Sequence, residues 1–155
     1  MTPPPAPPSV RRLLLVVAVL TVASCSNGSD AAEPGGAASA RGVVDAHVAA
    51  SKRYDLAAAC ELLSPARREE MAAFDGEKAE GYCTAATEEI TSSATPETKA
   101  RTRGIYTEAK VVRVDRPKGT WYRIEAADGS YFEDVEVTEI DGRWWIAQIE
   151  SDVDQ

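Results

Sequence analysis

Three cysteines and one histidine are the side chains of this 155-residue chain with the most distinctive chemistry: Cys25, Cys60, Cys83 and His47. Thiols take up lipid, pair with each other or bind metal. A metal site needs several donors at short spacing, and His47 is the single histidine. No Cys-x-x-Cys pair is present either, which argues against thiol–disulfide catalysis. The sequence therefore predicts neither a metal site nor a cofactor.

Acid–base chemistry has several candidate residues and no complete motif. His47 falls on the apolar face of the first predicted helix, and Asp45, Asp55 and Asp134 are further candidate bases. Each aspartate would need burial to raise its pKa toward neutrality. Asp55 is better explained as a helix cap, and the strand around Asp134 carries acidic residues on both faces, which predicts a solvated edge or an open face. Since no Ser-His-Asp set, phosphate loop or zinc spacing can be assembled, the sequence favours a non-enzymatic protein.

The N-terminus has the pattern of an export signal. Arg11 and Arg12 precede an apolar run of ten residues, Leu13–Val22, whose helical rise of about 15 Å is half of a hydrocarbon core. Val22-Ala23-Ser24-Cys25 then resembles a bacterial lipobox, in which the cysteine thiolate takes up diacylglycerol. We therefore expect a lipid anchor at Cys25 on the extracytoplasmic face of the cell membrane. The alternatives are an ordinary signal with a chance cysteine and an uncleaved anchor. For the export route, Arg11-Arg12 followed by three leucines loosely resembles a twin-arginine signal, with an ordinary pair of positive residues as the alternative.

Three segments follow from this pattern: a signal peptide at 1–24, the lipidated cysteine with a flexible tether at 25–40, and one folded domain at 41–155. The tether is predicted from its small and helix-breaking residues, SNGSDAAEPGGAASA. Removal of Arg11 and Arg12 with the signal leaves 15 basic and 25 acidic residues, a net charge of −10. A domain this acidic is not expected to bind nucleic acid.

The first part of the domain has helical periodicity. One helix is predicted at 40–53, a second after the cap Asp55, a third at Ser64-Pro65 with Met71 and Phe74 buried, and a fourth at about 77–91. The inward residues expected on the fourth helix are Ala79, Tyr82, Cys83, Ala86 and Ile90. The stretch 91–98 is predicted as a loop that ends in one turn at Thr95-Pro96.

The remainder of the domain has strand character. Segments 105–115, 120–126, 131–140 and 143–150 are rich in β-branched and aromatic residues and are separated by turns, two of them Asp-Gly. Helices followed by an antiparallel four-stranded meander give an α+β fold.

Cys60 and Cys83 fall on the inward faces of the second and fourth predicted helices. In an oxidising compartment this arrangement favours a disulfide, with two buried free thiols as the alternative. The closed ring of 24 residues would stabilise the fold by about 3.4 kcal/mol in the chain-entropy account.

The tryptophans Trp121, Trp144 and Trp145 all lie in the predicted meander. Adjacent strand residues point to opposite faces, so at least one of Trp144 and Trp145 must lie off the main core. The tryptophan off the core is expected either to cover the second face of the sheet or fill the mouth of a pocket, or to form a surface that binds a partner or a ligand.

Two motifs carry a family resemblance. The run Tyr54–Ser64 (YDLAAACELLS) and the closing Glu139–Ile146 (EIDGRWWI) are similar to segments of the nuclear-transport-factor-2-like superfamily, the cystatin-like cone, and especially of its bacterial extracytoplasmic lipoproteins. The resemblance implies helices on a curved four-stranded meander. It also implies a small apolar ligand or an envelope protein as partner, or a homodimer through the sheet. Some members of the superfamily are enzymes of the ketosteroid-isomerase type. The alternative that the resemblance implies is therefore an enzyme that uses His47 or Asp134.

Overall fold

The computed structural model describes residues 36–151. Cys25 and the predicted signal and lipobox lie outside these residues. The described chain contains five helices followed by four strands: α1 (Ala40–Arg53), α2 (Leu56–Glu61), α3 (Pro65–Asp75), α4 (Tyr82–Ser93), α5 (Pro96–Tyr106), β1 (Lys110–Val114), β2 (Thr120–Glu125), β3 (Phe132–Ile140) and β4 (Arg143–Ser151). The predicted α+β class is confirmed.

Short polar side chains start four of the helices. Each N-cap oxygen accepts a hydrogen bond from the backbone N–H three residues later, which satisfies one of the unpaired donors of the first turn. Proline then occupies the first turn of α3 and of α5, where its missing N–H costs nothing. The four capping residues are Ser39, Asp55, Ser64 and Thr95.

The prediction for 91–109 was wrong, whereas the strand expected at 105–115 is present from Lys110 as β1. The segment expected to be a loop and then a strand from Ile105 contains α5, and β1 begins only at Lys110. Only Tyr106 of α5 is buried, so the segment has no apolar periodicity by which a helix could be recognised. Packing of α5 on α1 supplies the stabilisation that the local sequence does not indicate.

Three residues predicted to face inward are exposed: Phe74, Ala79 and Ile90. Phe74 is 92% exposed and Ile90 is 53% exposed. On α3 the buried residue is Ala72, and Phe74, two positions on, lies about 200° around the helix. α4 starts at Tyr82, not near Glu77, and only Tyr82 and Cys83 of this helix are buried.

The four strands form one antiparallel sheet in the order β1-β2-β3-β4, which confirms the predicted meander. Asp141 and Gly142 both have positive φ, 54° and 76°, as a two-residue hairpin turn between β3 and β4 requires. β3 is an inner strand, and Asp134 on it is buried, so the predicted solvated setting of Asp134 was wrong.

Alternation along the strands separates the tryptophans, and a register shift in β4 puts both Ile146 and Ile149 on the core face. Glu136 pairs with Gln148 and Val137 with Ile146, which leaves Ala147 without an opposite residue. Trp144 contacts the main core together with Ile146 and Ile149. Trp145 and Trp121 are buried but lie outside that core, on the sheet face away from α1. One tryptophan of the adjacent pair is therefore off the main core, as the alternation predicted.

The main core lies between α1 and the sheet. Val43 and Val44 of α1 pack on Ile124 of β2, Val135 of β3 and Ile146 of β4, and all five are completely buried. These five side chains fill the space between α1 and the middle of the sheet.

The folded unit begins upstream of residue 41, the boundary predicted from composition. Ala37 exchanges two backbone hydrogen bonds with Trp144, of 2.9 and 2.8 Å, and so extends the outer edge of β4. Gly36 has φ 89°, and a Cβ on it would lie 2.9 Å from the Trp145 ring, so glycine is needed for this close approach. Residues 36–40 therefore belong to the fold and not to the tether.

The predicted disulfide is confirmed: Cys60 of α2 is bonded to Cys83 of α4. Around it lies a second, smaller core of Ala72, Tyr82 and Cys83. Among residues 36–151, none of the helices has the length and apolar character needed to cross a membrane.

Candidate functional site: a buried carboxylate between helices and sheet

Glu133 is the acidic residue that the fold places inside the core. It lies on β3, opposite Ile124 of β2 and on the same side of the strand as Val135, and only 3% of its surface is exposed. A carboxylate in such surroundings is stabilised only if its oxygens are hydrogen-bonded.

Three donors from three parts of the chain surround the Glu133 carboxylate. Nε2 of His47, on α1, lies 3.1 Å from Oε1. The hydroxyl of Tyr106, at the end of α5, donates to both oxygens at 3.2 Å. The hydroxyl of Tyr131, just before β3, donates to Oε2 at 3.0 Å. Glu133 thereby joins α1 and α5 to the middle of the sheet.

The two phenols act as hydrogen-bond donors and not as acids. Burial and the neighbouring Glu133 carboxylate raise the pKa of Tyr131 to about 12 and raise the pKa of Tyr106 further. Both hydroxyls therefore keep their protons at any physiological pH.

His47 is held in one orientation. Its Nε2 faces Glu133, and its ring packs edge-on against Tyr106 with 6.1 Å between ring centroids. Nδ1 is buried and has no hydrogen-bond partner among the described residues. Hydrogen-bond satisfaction therefore assigns the proton to Nε2, because a proton on Nδ1 would be buried without an acceptor.

Asp134 lies on the opposite face of β3 and is bound by two arginines. Arg123 of β2 donates from Nε to Oδ1 at 2.7 Å and from Nη2 to Oδ2 at 2.9 Å. Arg116 donates to Oδ2 as well, and to Glu150 of β4 at 2.8 Å. Hydrogen bonds from Arg123 and then Arg116 lower the pKa of Asp134, in spite of its burial. Asp134 is therefore an ionised partner of arginine, the reverse of what a general base near neutral pH requires.

The remaining candidate residues are not brought to a common site. Asp45 is exposed and paired with Arg41 at 2.7 Å, and Asp55 caps α2 through a 3.1 Å bond from the Ala58 N–H. Trp121 donates from Nε1 to the Lys118 carbonyl at 2.9 Å, beneath the Arg116 guanidinium, whose carbon is 3.9 Å from the ring centre. Trp145 lies under Arg68 at 5.7 Å. Glu133, His47, Tyr106 and Tyr131 together form the Glu133 cluster. Of the residues predicted to line a pocket or partner surface, His47 is the one that belongs to it.

Sequence reasoning missed Glu133, Tyr106 and Tyr131. Strand alternation carried one usable signal, since Glu133 shares the side of β3 that bears Val135 and Val137. No comparable signal existed for Tyr106, because the helix that positions it was not recognised.

One groove reaches the cluster from the surface. It has a volume of about 500 Å³ between α5 and the β2–β3 turn, and half-buried Tyr131 forms part of its wall. Arg101, Ile105 and Asp128 contribute to the other walls. Glu133 itself does not line this groove.

Over residues 36–151, His, Cys, Asp and Glu side chains form no group of three or more arranged to hold a metal ion. Comparison of the whole chain with protein-family profiles, curated protein sequences and solved structures gives no significant match.

Proposed function

We propose that this protein is a lipoprotein of the cell envelope, anchored to the extracytoplasmic face of the membrane through Cys25, and that its folded unit is a non-enzymatic binding module for another envelope protein. The lipobox-like sequence Val22–Cys25 supports the anchor. The Cys60–Cys83 disulfide supports an oxidising location, since such bonds are rare in the reducing cytosol.

The proposed fold family is the nuclear-transport-factor-2-like cone. Its support is the order of elements, helices before an antiparallel four-stranded meander, together with the two sequence motifs. Such a likeness concerns the fold and leaves the function to be argued from the site.

The hydrogen bonding of both buried carboxylates, Glu133 and Asp134, is the observation that supports a non-enzymatic function. Glu133 is surrounded by His47 and two tyrosine hydroxyls, and Asp134 by two arginines. Side chains that are completely buried occupy the space between α1 and the sheet. A base that acts on a small apolar molecule needs a free carboxylate, and both of these buried carboxylates within residues 36–151 are hydrogen-bonded to other side chains.

An isomerase-like enzyme is the second candidate, and the Glu133–Tyr131 hydrogen bond beside the groove is the observation that favours it. Displacement of Tyr131 by a ligand would remove one of the two hydroxyl donors to Oε2 of Glu133 and leave the Tyr106 hydroxyl there. This reading predicts that a ligand is retained in the groove and that Tyr131→Phe changes its affinity.

Substitution of Cys25 by alanine tests the anchor. The variant should move from the membrane fraction to the soluble fraction and lose incorporation of radiolabelled palmitate, because the thiol that takes up diacylglycerol is absent. The matched control is Cys60→Ser with Cys83→Ser, which removes two thiols and should leave the protein in the membrane. Retention of the Cys25→Ala protein in the membrane, with its label, would contradict the proposal.

A further inference from the structure

The outer edge of β1 differs from the outer edge of β4. At β4, Ala37 bridges to Trp144 and Leu63 to Ile146, so other parts of the chain pair with this edge. Within residues 36–151, β1 pairs with β2 alone. A strand with one unpaired edge presents backbone N–H and C=O groups that a further strand can pair with.

The backbone of β1 is accessible to donors from outside the sheet. Nη1 of Arg41, on α1, donates to the Val111 carbonyl at 3.1 Å. Val112 is 47% exposed, one of the few large apolar side chains of the described chain at the surface. An added strand would therefore displace Arg41 from the Val111 carbonyl and gain an apolar contact at Val112.

The charge around β1 is opposite to that of the rest of the protein. Residues 99–118 contain seven Lys and Arg against two Asp and Glu, a net charge of +5, whereas the whole chain has −8 and the remainder therefore −13. Lys110 and Arg113 on β1 itself are exposed, and within the described residues neither forms an ion pair with an acidic side chain. Alternation along the strand puts one of the two on each face of the sheet.

From this edge and its charge we propose that β1 is a strand-addition site for an extended acidic segment of the partner protein. The inference rests on the proposed function and names the chemistry of its partner. Acidic side chains of an added strand would lie beside Lys110 or Arg113, while its backbone pairs with β1.

A second copy of this chain fits the edge less well. Two β1 strands paired edge to edge would bring Lys110 and Arg113 of one protomer toward the same basic residues of the other, and like charges on neighbouring strands are destabilising. Charged residues on a short edge strand also protect against indiscriminate pairing. The edge is thus selective, since it repels basic strands and attracts acidic ones.

The test measures binding of two labelled peptides to the full chain in detergent. One peptide alternates glutamate and valine over seven residues, and the other alternates lysine and valine. The acidic peptide should bind at least tenfold more tightly than the basic one. Affinity should fall as salt is raised, because the attraction is electrostatic. Backbone amides of β1 should exchange hydrogen more slowly in the complex.

Charge reversal at the edge gives the decisive comparison. The double variant Lys110→Glu with Arg113→Glu should lose the acidic peptide and prefer the basic one, whereas Lys52→Glu with Lys78→Glu, the same change of net charge on other exposed residues, should keep the original preference.

Equal effects of the two double variants would overturn the proposal, since binding would then follow overall charge. Protection of the β1 amides that rises with protein concentration and needs no peptide would overturn it in favour of a second copy. Neither result affects the Cys25→Ala fractionation, so failure of the edge and failure of the proposed anchor are distinguishable.

Discussion

Glu133 shows how a polar residue can organise an apolar core. Its carboxylate accepts hydrogen bonds from groups on α1, on α5 and next to β3, so its removal leaves three donors without this acceptor, two of them buried. We expect Glu133→Ala to lower the free energy of unfolding by about 3 kcal/mol or more, the range measured when one member of a buried hydrogen-bonded set is deleted. Chemical denaturation at neutral pH measures the loss.

Glu139→Ala is the matched control, because Glu139 lies on the same strand and is exposed. Its substitution should change the free energy of unfolding by less than about 0.5 kcal/mol. Similar losses in the two variants would show that the Glu133 cluster does not stabilise the fold as described.

Asp134 makes stability depend on pH in a defined direction. Its pKa is lowered in the folded state by Arg123 and Arg116, so its ion pairs stabilise the fold above the unfolded-state pKa of about 3.9. That contribution disappears as the pH falls through 3.9 toward the lower folded-state pKa. Asp134→Asn should therefore be less stable than the native protein at pH 7, and the difference should shrink between about pH 4 and pH 2. A difference that stays constant over this interval would contradict the account.

At the scale of single residues the sequence identified an inward-facing histidine but not its partner. His47 follows from helical periodicity, which depends only on local spacing. Its contact with Glu133 spans 86 positions of the chain, and nothing local encodes which strand residue meets which helix. The cluster became visible only with the register of β3 against α1 and α5.

At the scale of elements, the disulfide holds a weakly packed helix in place. Only Tyr82 and Cys83 of α4 are buried, and Cys83 is bonded to Cys60 of α2. The double variant Cys60→Ser with Cys83→Ser should lose up to about 3 kcal/mol of unfolding free energy. Amides of α4 should exchange hydrogen faster than those of α1, since α4 has little other burial to hold it.

Cys25→Ser provides the control for this variant, because Cys25 lies outside residues 36–151 and is not a member of the Cys60–Cys83 bond. Its denaturation curve should match that of the native protein. Equal exchange rates in α1 and α4 of the disulfide variant would show that the bond stabilises the whole domain and not α4 in particular.

Elements with a local signal were predicted and elements held by packing were not. α1 has five buried positions at helical spacing and a serine cap, and its predicted bounds, 40–53, agree with the structure. The two Asp-Gly turns likewise predicted the positions of hairpins in the meander, and the structure has hairpins there. α5 contains Gly104 and a single buried residue, so its helical state depends on contact with α1.

At the scale of the whole molecule, sequence reasoning separates an export and anchoring region from one folded unit. Its boundary was placed a few residues late, since Gly36 and Ala37 look like tether by composition and yet pack on Trp145 and pair with Trp144. Small residues were needed there because the chain passes close to a large ring, a requirement that only the tertiary structure reveals.

Native mass spectrometry of the protein extracted from its membrane in detergent tests the central claim most directly. A lipid-anchored binding module with a filled interior should have the mass of a chain that starts at a diacylated Cys25, less the two hydrogens of the Cys60–Cys83 disulfide, with no small molecule retained. A chain with an unmodified Cys25 would contradict the anchor. A stoichiometric small molecule held by the folded unit would contradict the filled interior and favour the isomerase-like enzyme.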